Sequence, residues 1–195
     1  MKKVKVNFLI KLIVLVLIPT ILLTIVSVEA ILSTSTKITD TIIKEELNSV
    51  SNLALDKINS ISVSGWEYTE EKELKKGNYS LADNKLIDKL AKETNMSMTI
   101  FWGDVIAVTT IKNEDGKRIV GTKASQLVYE EVSNGSTHYA KNLDIQGEAY
   151  SALYTPITNS EGKVIGMFFV GKKLSDIHSL TAGAIQKSLL LTLIV

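Results

Sequence analysis

A run of apolar residues from Leu12 to Val28, interrupted only by Pro19, Thr20, Thr24 and Ser27, constrains this chain more than any other feature. A helix needs about 17 or more such residues to cross the hydrocarbon core of a bilayer, where backbone polar groups find no water. Lys2, Lys3, Lys5 and Lys11 precede the run and Glu29 follows it. The positive-inside bias therefore keeps the N-terminus in the cytoplasm and exports what comes next. Val28-Glu29-Ala30 offers the competing reading, a small-x-small cleavage site of a secretory signal, but the run exceeds the ~7–15 apolar residues of a signal core. The expectation is a cytoplasmic N-terminus over 1–11 and a retained transmembrane helix over 12–31.

What lies outside the membrane is bounded by what it lacks. The chain has 195 residues, room for one domain of ordinary size besides its anchor. There is no cysteine, which excludes disulfides, thiol catalysis and thiolate metal sites, and two isolated histidines, His138 and His178, make no metal site. The net charge is +1 and no basic stripe is interleaved with aromatics, so nothing points to nucleic acid. No nucleophile–base–acid set and no phosphate-binding glycine loop can be assembled. The pairs Glu70-Glu71 and Glu130-Glu131 are consecutive on expected helices, point apart, and read as solvated faces. A non-enzymatic module without a cofactor is expected.

From Ile31 to Glu73 there is no proline, and Gly65 is the only glycine. Ile38, Ile42, Leu47, Val50, Ala54, Ile58 and Ile61 recur mostly three or four apart, the stripe of an amphipathic helix. A long extracytoplasmic helix is expected over 32–76, stopped by Lys75-Lys76-Gly77-Asn78. Its stripe is to be buried on the following domain, on a second copy in a homodimer, or partly on both.

The rest, 77–178, reads as one α+β module. Asp83–Thr94 predicts a short helix capped by Asp83, and Met96–Trp102 and Val105–Ile111 predict two strands joined at Gly103-Asp104. Ser125 reads as the N-cap of a helix that stops at Asn134-Gly135. Three more β-rich runs follow, within Tyr139–Gly171, separated by Gln146-Gly147 and by Asn159-Ser160-Glu161-Gly162. The expected fold is a five-stranded antiparallel sheet with helices mainly on one face.

Several of these segments resemble the single Cache sensor domains of bacterial chemoreceptors, the methyl-accepting chemotaxis proteins. They are Trp102-Gly103-Asp104, Thr109-Thr110-Ile111, Asp115 through Ser125, Gly147-Glu148-Ala149-Tyr150, Tyr154-Thr155-Pro156-Ile157 and Gly162 through Gly171. The resemblance covers about residues 96–171. It implies a PAS-like extracytoplasmic sheet that binds a small molecule, two membrane helices, and a cytoplasmic signalling region that engages the chemotaxis kinase and adaptor. The same sensor type also sits on histidine kinases and diguanylate cyclases. Relatives often carry an arginine two residues after the Gly-Asp pair; Ile106 stands there in this chain. The apolar run Ser188–Val195 is too short to span, so 179–195 is expected to be a juxtamembrane segment and the start of a second membrane helix, in a fragment of a longer receptor.

The expected ligand face combines Tyr139 and Lys141 on one strand with Tyr150 and Tyr154 on the next, because even spacing places residues on one side of a sheet. Tyrosine supplies a ring and one directed hydroxyl. Lys141 is expected to meet an anionic group, Thr109 to donate from the second strand, and Trp102 to form a wall. Arg118, the only arginine, is read either as a ligand contact or as an ion pair holding the loop around Asp115. The alternative to sensing is a structural or protein-binding ectodomain whose sheet face is solidly packed.

Overall fold

The computed structural model describes residues 8–177. Two compact units divide the chain near Ile42. In the first, helix α1 (Phe8–Asn59) begins and carries the apolar stretch Ile10–Ala30, of mean hydropathy 2.6 and with none of its side chains buried by protein. Its few hydroxyls are satisfied within the helix. Thr20 donates to the Val16 and Leu17 carbonyls at 3.0 and 2.9 Å, Thr24 to Ile21 at 2.7 Å and Ser27 to Leu23 at 2.8 Å. This back-bonding lets a polar side chain sit in a lipid-facing helix without an unpaired group. Pro19 lies inside the helix, as membrane helices tolerate.

In the second unit the last turns of α1 bury Ile43, Leu47, Ser51, Ala54 and Ile58, three or four apart. The helix stops at Asn59, well short of the expected end at 76. Its apolar stripe runs out at Ile61, and Ser60-Ile61-Ser62-Val63-Ser64-Gly65 alternates serine with β-branched residues, a poor helix former. A small antiparallel sheet follows: β1 (Trp66–Tyr68), β2 (Leu74–Lys76) and β3 (Tyr79–Ser80), in that order. Gly77, expected as a helix stop, is the β2–β3 turn. Its φ is 58°, and a Cβ there would collide with the Ser62 hydroxyl.

Helix α2 (Lys85–Thr94) leads into the main sheet. The strands β4 (Ser97–Trp102), β5 (Val105–Thr109), β6 (His138–Ile145), β7 (Glu148–Thr158) and β8 (Val164–Lys173) form an antiparallel sheet in the order β5-β4-β8-β7-β6. Helix α3 (Gln126–Ser133), capped by Ser125 as expected, lies between β5 and β6 in sequence. The turn residues behave as their types require. Gln146 and Gly147 both have positive φ, 55° and 78°, the pattern of a two-residue type I′ hairpin.

The sheet separates two apolar clusters. On one face Met98, Ile100, Leu153, Phe168 and Val170 pack with α1, α2 and the small sheet. On the other, Phe101, Ile106, Ala152, Tyr154, Met167 and Phe169 pack with Val128 and Val132 of α3. Helices α1 and α2 thus share one face, and α3 takes the opposite one. Burial on both sides explains why β8 reads Met-Phe-Phe-Val without polar alternation. Two polar links reinforce the α1 face. The Ser51 and Thr155 hydroxyls are 2.8 Å apart, and the Lys172 ammonium donates to both Glu46 carboxylate oxygens at 2.7 and 2.8 Å.

Leu47 is fully buried in this cluster, whereas Leu53 on the same helix is 69% exposed. Leu47→Ala should lower unfolding free energy by about 2–5 kcal/mol. Leu53→Ala should stay within about 0.5 kcal/mol. Denaturant unfolding of the chain in nanodiscs, followed by tryptophan fluorescence, measures both.

Candidate functional site

The two faces of the sheet are not covered equally well. Against the α3 face lies a cavity of about 350 Å³, within the ~300–1,000 Å³ range of small-molecule sites. Its floor comes from the sheet, with Phe101 on β4, Ile106 on β5, Tyr154 on β7 and Phe169 on β8. Val128 of α3 and Ile111, Ile119 and Ala124 of the β5–α3 connection form the cover. Thr99, Thr122, Lys123, Ser125, Asp144 and Gln146 add polar atoms.

The cover is held by backbone pairing. Ile106 N–H donates to the Thr122 carbonyl at 2.8 Å, Gly121 N–H to Ile106 at 2.8 Å and Ala124 N–H to Asp104 at 2.8 Å. The connection therefore runs along the free edge of β5 and closes it. Arg118 clamps the same segment from below. Its guanidinium donates to both Asp88 carboxylate oxygens on α2, at 3.0 and 2.7 Å, and to the Thr109 carbonyl. A planar fork meeting a carboxylate in this way is a positioning device.

A bulge completes the opposite wall. The β6–β7 register runs His138↔Tyr154, Tyr139↔Leu153, Ala140↔Ala152, then jumps to Leu143↔Tyr150. The extra residue falls at Lys141-Asn142, where Asn142 has φ 56°. A one-residue slip exchanges the two faces of a strand. Leu143 and Ile145 are consequently turned onto the cavity side, which both of them line.

Of the seven residues expected at the site, Tyr154 alone lines this cavity. Tyr139 pairs with Leu153 and packs on the α1 face, with the Lys44 ammonium 5.8 Å from its ring. Its spacing along the strand was read correctly; the cross-strand register set it on the other side. Lys141 is exposed at the bulge. Tyr150 is buried on the same side as Tyr154 but is not among the lining residues. Thr109 stands behind Thr99, their hydroxyls 2.6 Å apart, and it is Thr99 that reaches the cavity. Trp102 stacks on Tyr68 at 5.7 Å between centroids and 18° between planes, on the α1 face. Arg118 takes the second of its two expected readings, holding its loop by an ion pair, with Asp88 of α2 as the partner. The lining residues on β4 and β5 were missed, apart from Ile106, which the resemblance had singled out. Parity along β4 separates Thr99 and Phe101 from Met98 and Ile100, but sequence gives no sign of which pair faces the open side.

Tyr154 is set in an aromatic frame. Its ring lies 5.1 Å from Phe169, edge-on, and 6.0 Å from both Phe101 and His138. The residue is 6% exposed, and burial pushes its hydroxyl pKa up to about 12. Below the ordinary value near 10 the phenol is neutral in folded and unfolded chain alike. As pH rises from there through about 12 the unfolded chain ionises first, and stability is lost. His138 Nδ1 lies 2.5 Å from a Glu131 carboxylate oxygen, joining β6 to α3. His178 lies outside the described residues. Among the described residues no acidic or histidine cluster is arranged to hold a metal.

The Single cache domain 3 family model matches residues 78–183. No curated protein matches the chain. Among solved structures the chain is similar to the sensor domain of E. coli DcuS, at 17% identity and a TM-score of 0.42, over 69% of this chain and 96% of that one.

Two outcomes are expected here. Tyr154→Phe should flatten the loss of stability between pH 10 and about 12, measured by urea unfolding across that range. Arg118→Met should lower stability by on the order of 2 kcal/mol, through the lost charged hydrogen bonds. The same variant should shift the methyl NMR signals of Ile111 and Ile119 in the connection it releases, with Ile58 in the opposite core nearly unmoved.

Proposed function

The chain belongs to the single Cache domain 3 family, whose members are extracytoplasmic sensor domains, and on that premise we propose that it is the sensing part of a chemotaxis receptor. A small molecule enters the cavity on the α3 face and the occupied state is read out across the membrane. The observation that carries this reading is the uneven cover of the sheet: one face is packed by α1 and α2, while the other keeps about 350 Å³ open over an apolar floor. A purely structural ectodomain has no reason to keep that space unfilled, since voids weaken a core.

The route to the output follows from alternation along two strands. Tyr154 and Phe169 line the cavity; their chain neighbours Thr155, Phe168 and Val170 face α1. Any shift of β7 and β8 under a ligand is felt at the Ser51–Thr155 hydrogen bond and the Lys172–Glu46 ion pair. A ligand moves α1 only to the extent that it binds the two arrangements unequally. The expected juxtamembrane segment and start of a second membrane helix, 179–195, lie outside the described residues. The resemblance to chemoreceptors supports the choice of chemotaxis output, through its kinase and adaptor, over kinase or cyclase outputs. The four N-terminal lysines support a cytoplasmic N-terminus. The chain acts as a homodimer, with exposed apolar residues of α1 such as Leu53 at the contact. It has no catalytic role of its own.

The test is thermal unfolding of the chain in nanodiscs against a small-molecule library. At least one compound should raise Tm by several degrees. Ile106→Trp and Val128→Phe, which fill the cavity from floor and cover, should each abolish that rise. A rise that survives both variants places the ligand elsewhere and ends this reading.

A further inference from the structure

The cavity has a chemical preference that the sensing reading leaves open. Resting on that reading, we infer that its ligand is an uncharged, partly apolar small molecule whose oxygen accepts a hydrogen bond from Tyr154, not a carboxylate or an ammonium ion.

Phe101, Ile106, Ile111, Val128 and Phe169 are all buried and apolar. An ion placed against them loses its water and needs an opposite charge in return. Among the described residues the only cationic side chain lining the cavity is Lys123. It is 68% exposed, and its ammonium is 2.8 Å from the Asp104 carboxylate. Arg118 is committed to Asp88 and the Thr109 carbonyl. A carboxylate therefore finds no available cation at the floor. An ammonium ion fares no better, because Asp144, the one acidic residue in the lining, is exposed near the end of the β6–β7 hairpin.

What the interior does offer is neutral. The Tyr154 hydroxyl belongs to a lining residue that is almost wholly buried among aromatic rings. It stays protonated through the physiological range and so remains a donor. Its ring is wedged among Phe101, Phe169 and His138, so little freedom is lost when it binds. Across Phe169 from it, the paired Thr99 and Thr109 hydroxyls leave an oxygen lone pair at the wall to accept. One fixed donor and one acceptor over an apolar floor match an amide, an alcohol or a ketone on a hydrocarbon or aromatic body.

The chain in nanodiscs, with ¹³C-labelled isoleucine methyls, provides the test. Ile106, Ile111, Ile119 and Ile145 report from the cavity, and Ile58 and Ile87 from the opposite core. The probes are phenylacetamide, phenylacetate and phenethylammonium, and the same three head groups on an isobutyl body. An amide should shift the cavity methyls with a Kd at least about tenfold below its charged counterparts. Tyr154→Phe should raise that Kd by roughly five- to tenfold, with the Ile58 and Ile87 signals unchanged as proof of fold. A carboxylate or ammonium probe binding as tightly as the amide overturns the ligand class and leaves the sensing site standing. Amide binding indifferent to Tyr154→Phe overturns the assigned donor. If no probe moves a cavity methyl, the inferred ligand class falls, and the sensing reading is decided separately by whether any library compound raises Tm.

Discussion

Strands β7 and β8 must be shielded from water on both sides, and the rest of the module answers to that demand. Their central residues, Ser151 to Tyr154 and Gly166 to Gly171, are buried without interruption. The carboxyl-terminal turns of α1, with α2 and the small β1–β3 sheet, shield one side with a continuous layer of aliphatic side chains. Only α3 and the β5–α3 connection remain for the other. Eight residues of helix and an extended segment cannot tile five strands, and the uncovered remainder is the cavity.

That shortage of cover is managed by backbone devices rather than by bulk. The connection is fastened to the edge of β5 by main-chain hydrogen bonds and anchored to α2 through Arg118. The bulge at Asn142 rotates Leu143 and Ile145 inward, so the far wall is built from residues that a regular strand would have presented to the other side. The cavity is thus a consequence of register and of loop pairing. Neither is a property of any single residue type.

The same strands also connect the two sides. Side chains alternate along a strand, so Tyr154 and Phe169 at the cavity have neighbours one position away, Leu153, Phe168 and Val170, in the α1 core. The hydroxyl contact between Ser51 and Thr155 and the ion pair between Lys172 and Glu46 tie α1 to these strands at two points. Close packing transmits displacement poorly as a continuous deformation but well as a change between discrete arrangements. A sheet with one packed and one open face is suited to that use.

Much of the architecture was legible before any coordinates. Apolar length picked out the stretch Ile10–Ala30 that opens α1, a 3.6-residue stripe identified its last turns, and Gly- and Asn-containing turns located all five strands within a residue or two. These features are local, set by sterics and solvation within a few neighbouring positions. The end of α1 was misjudged because absence of Gly and Pro was weighed above the serine-rich, β-branched run after Asn59. Of the residues expected to bind, only Tyr154 lies at the cavity. Tyr139 and Tyr154 satisfied the same alternation, yet cross-strand pairing and a single inserted residue put them on opposite faces. Chain order dictated which elements form and which side chains share a side of each. Which side is left open was decided by the tertiary structure alone, because register, bulge and the reach of α3 depend on contacts between residues far apart in the chain.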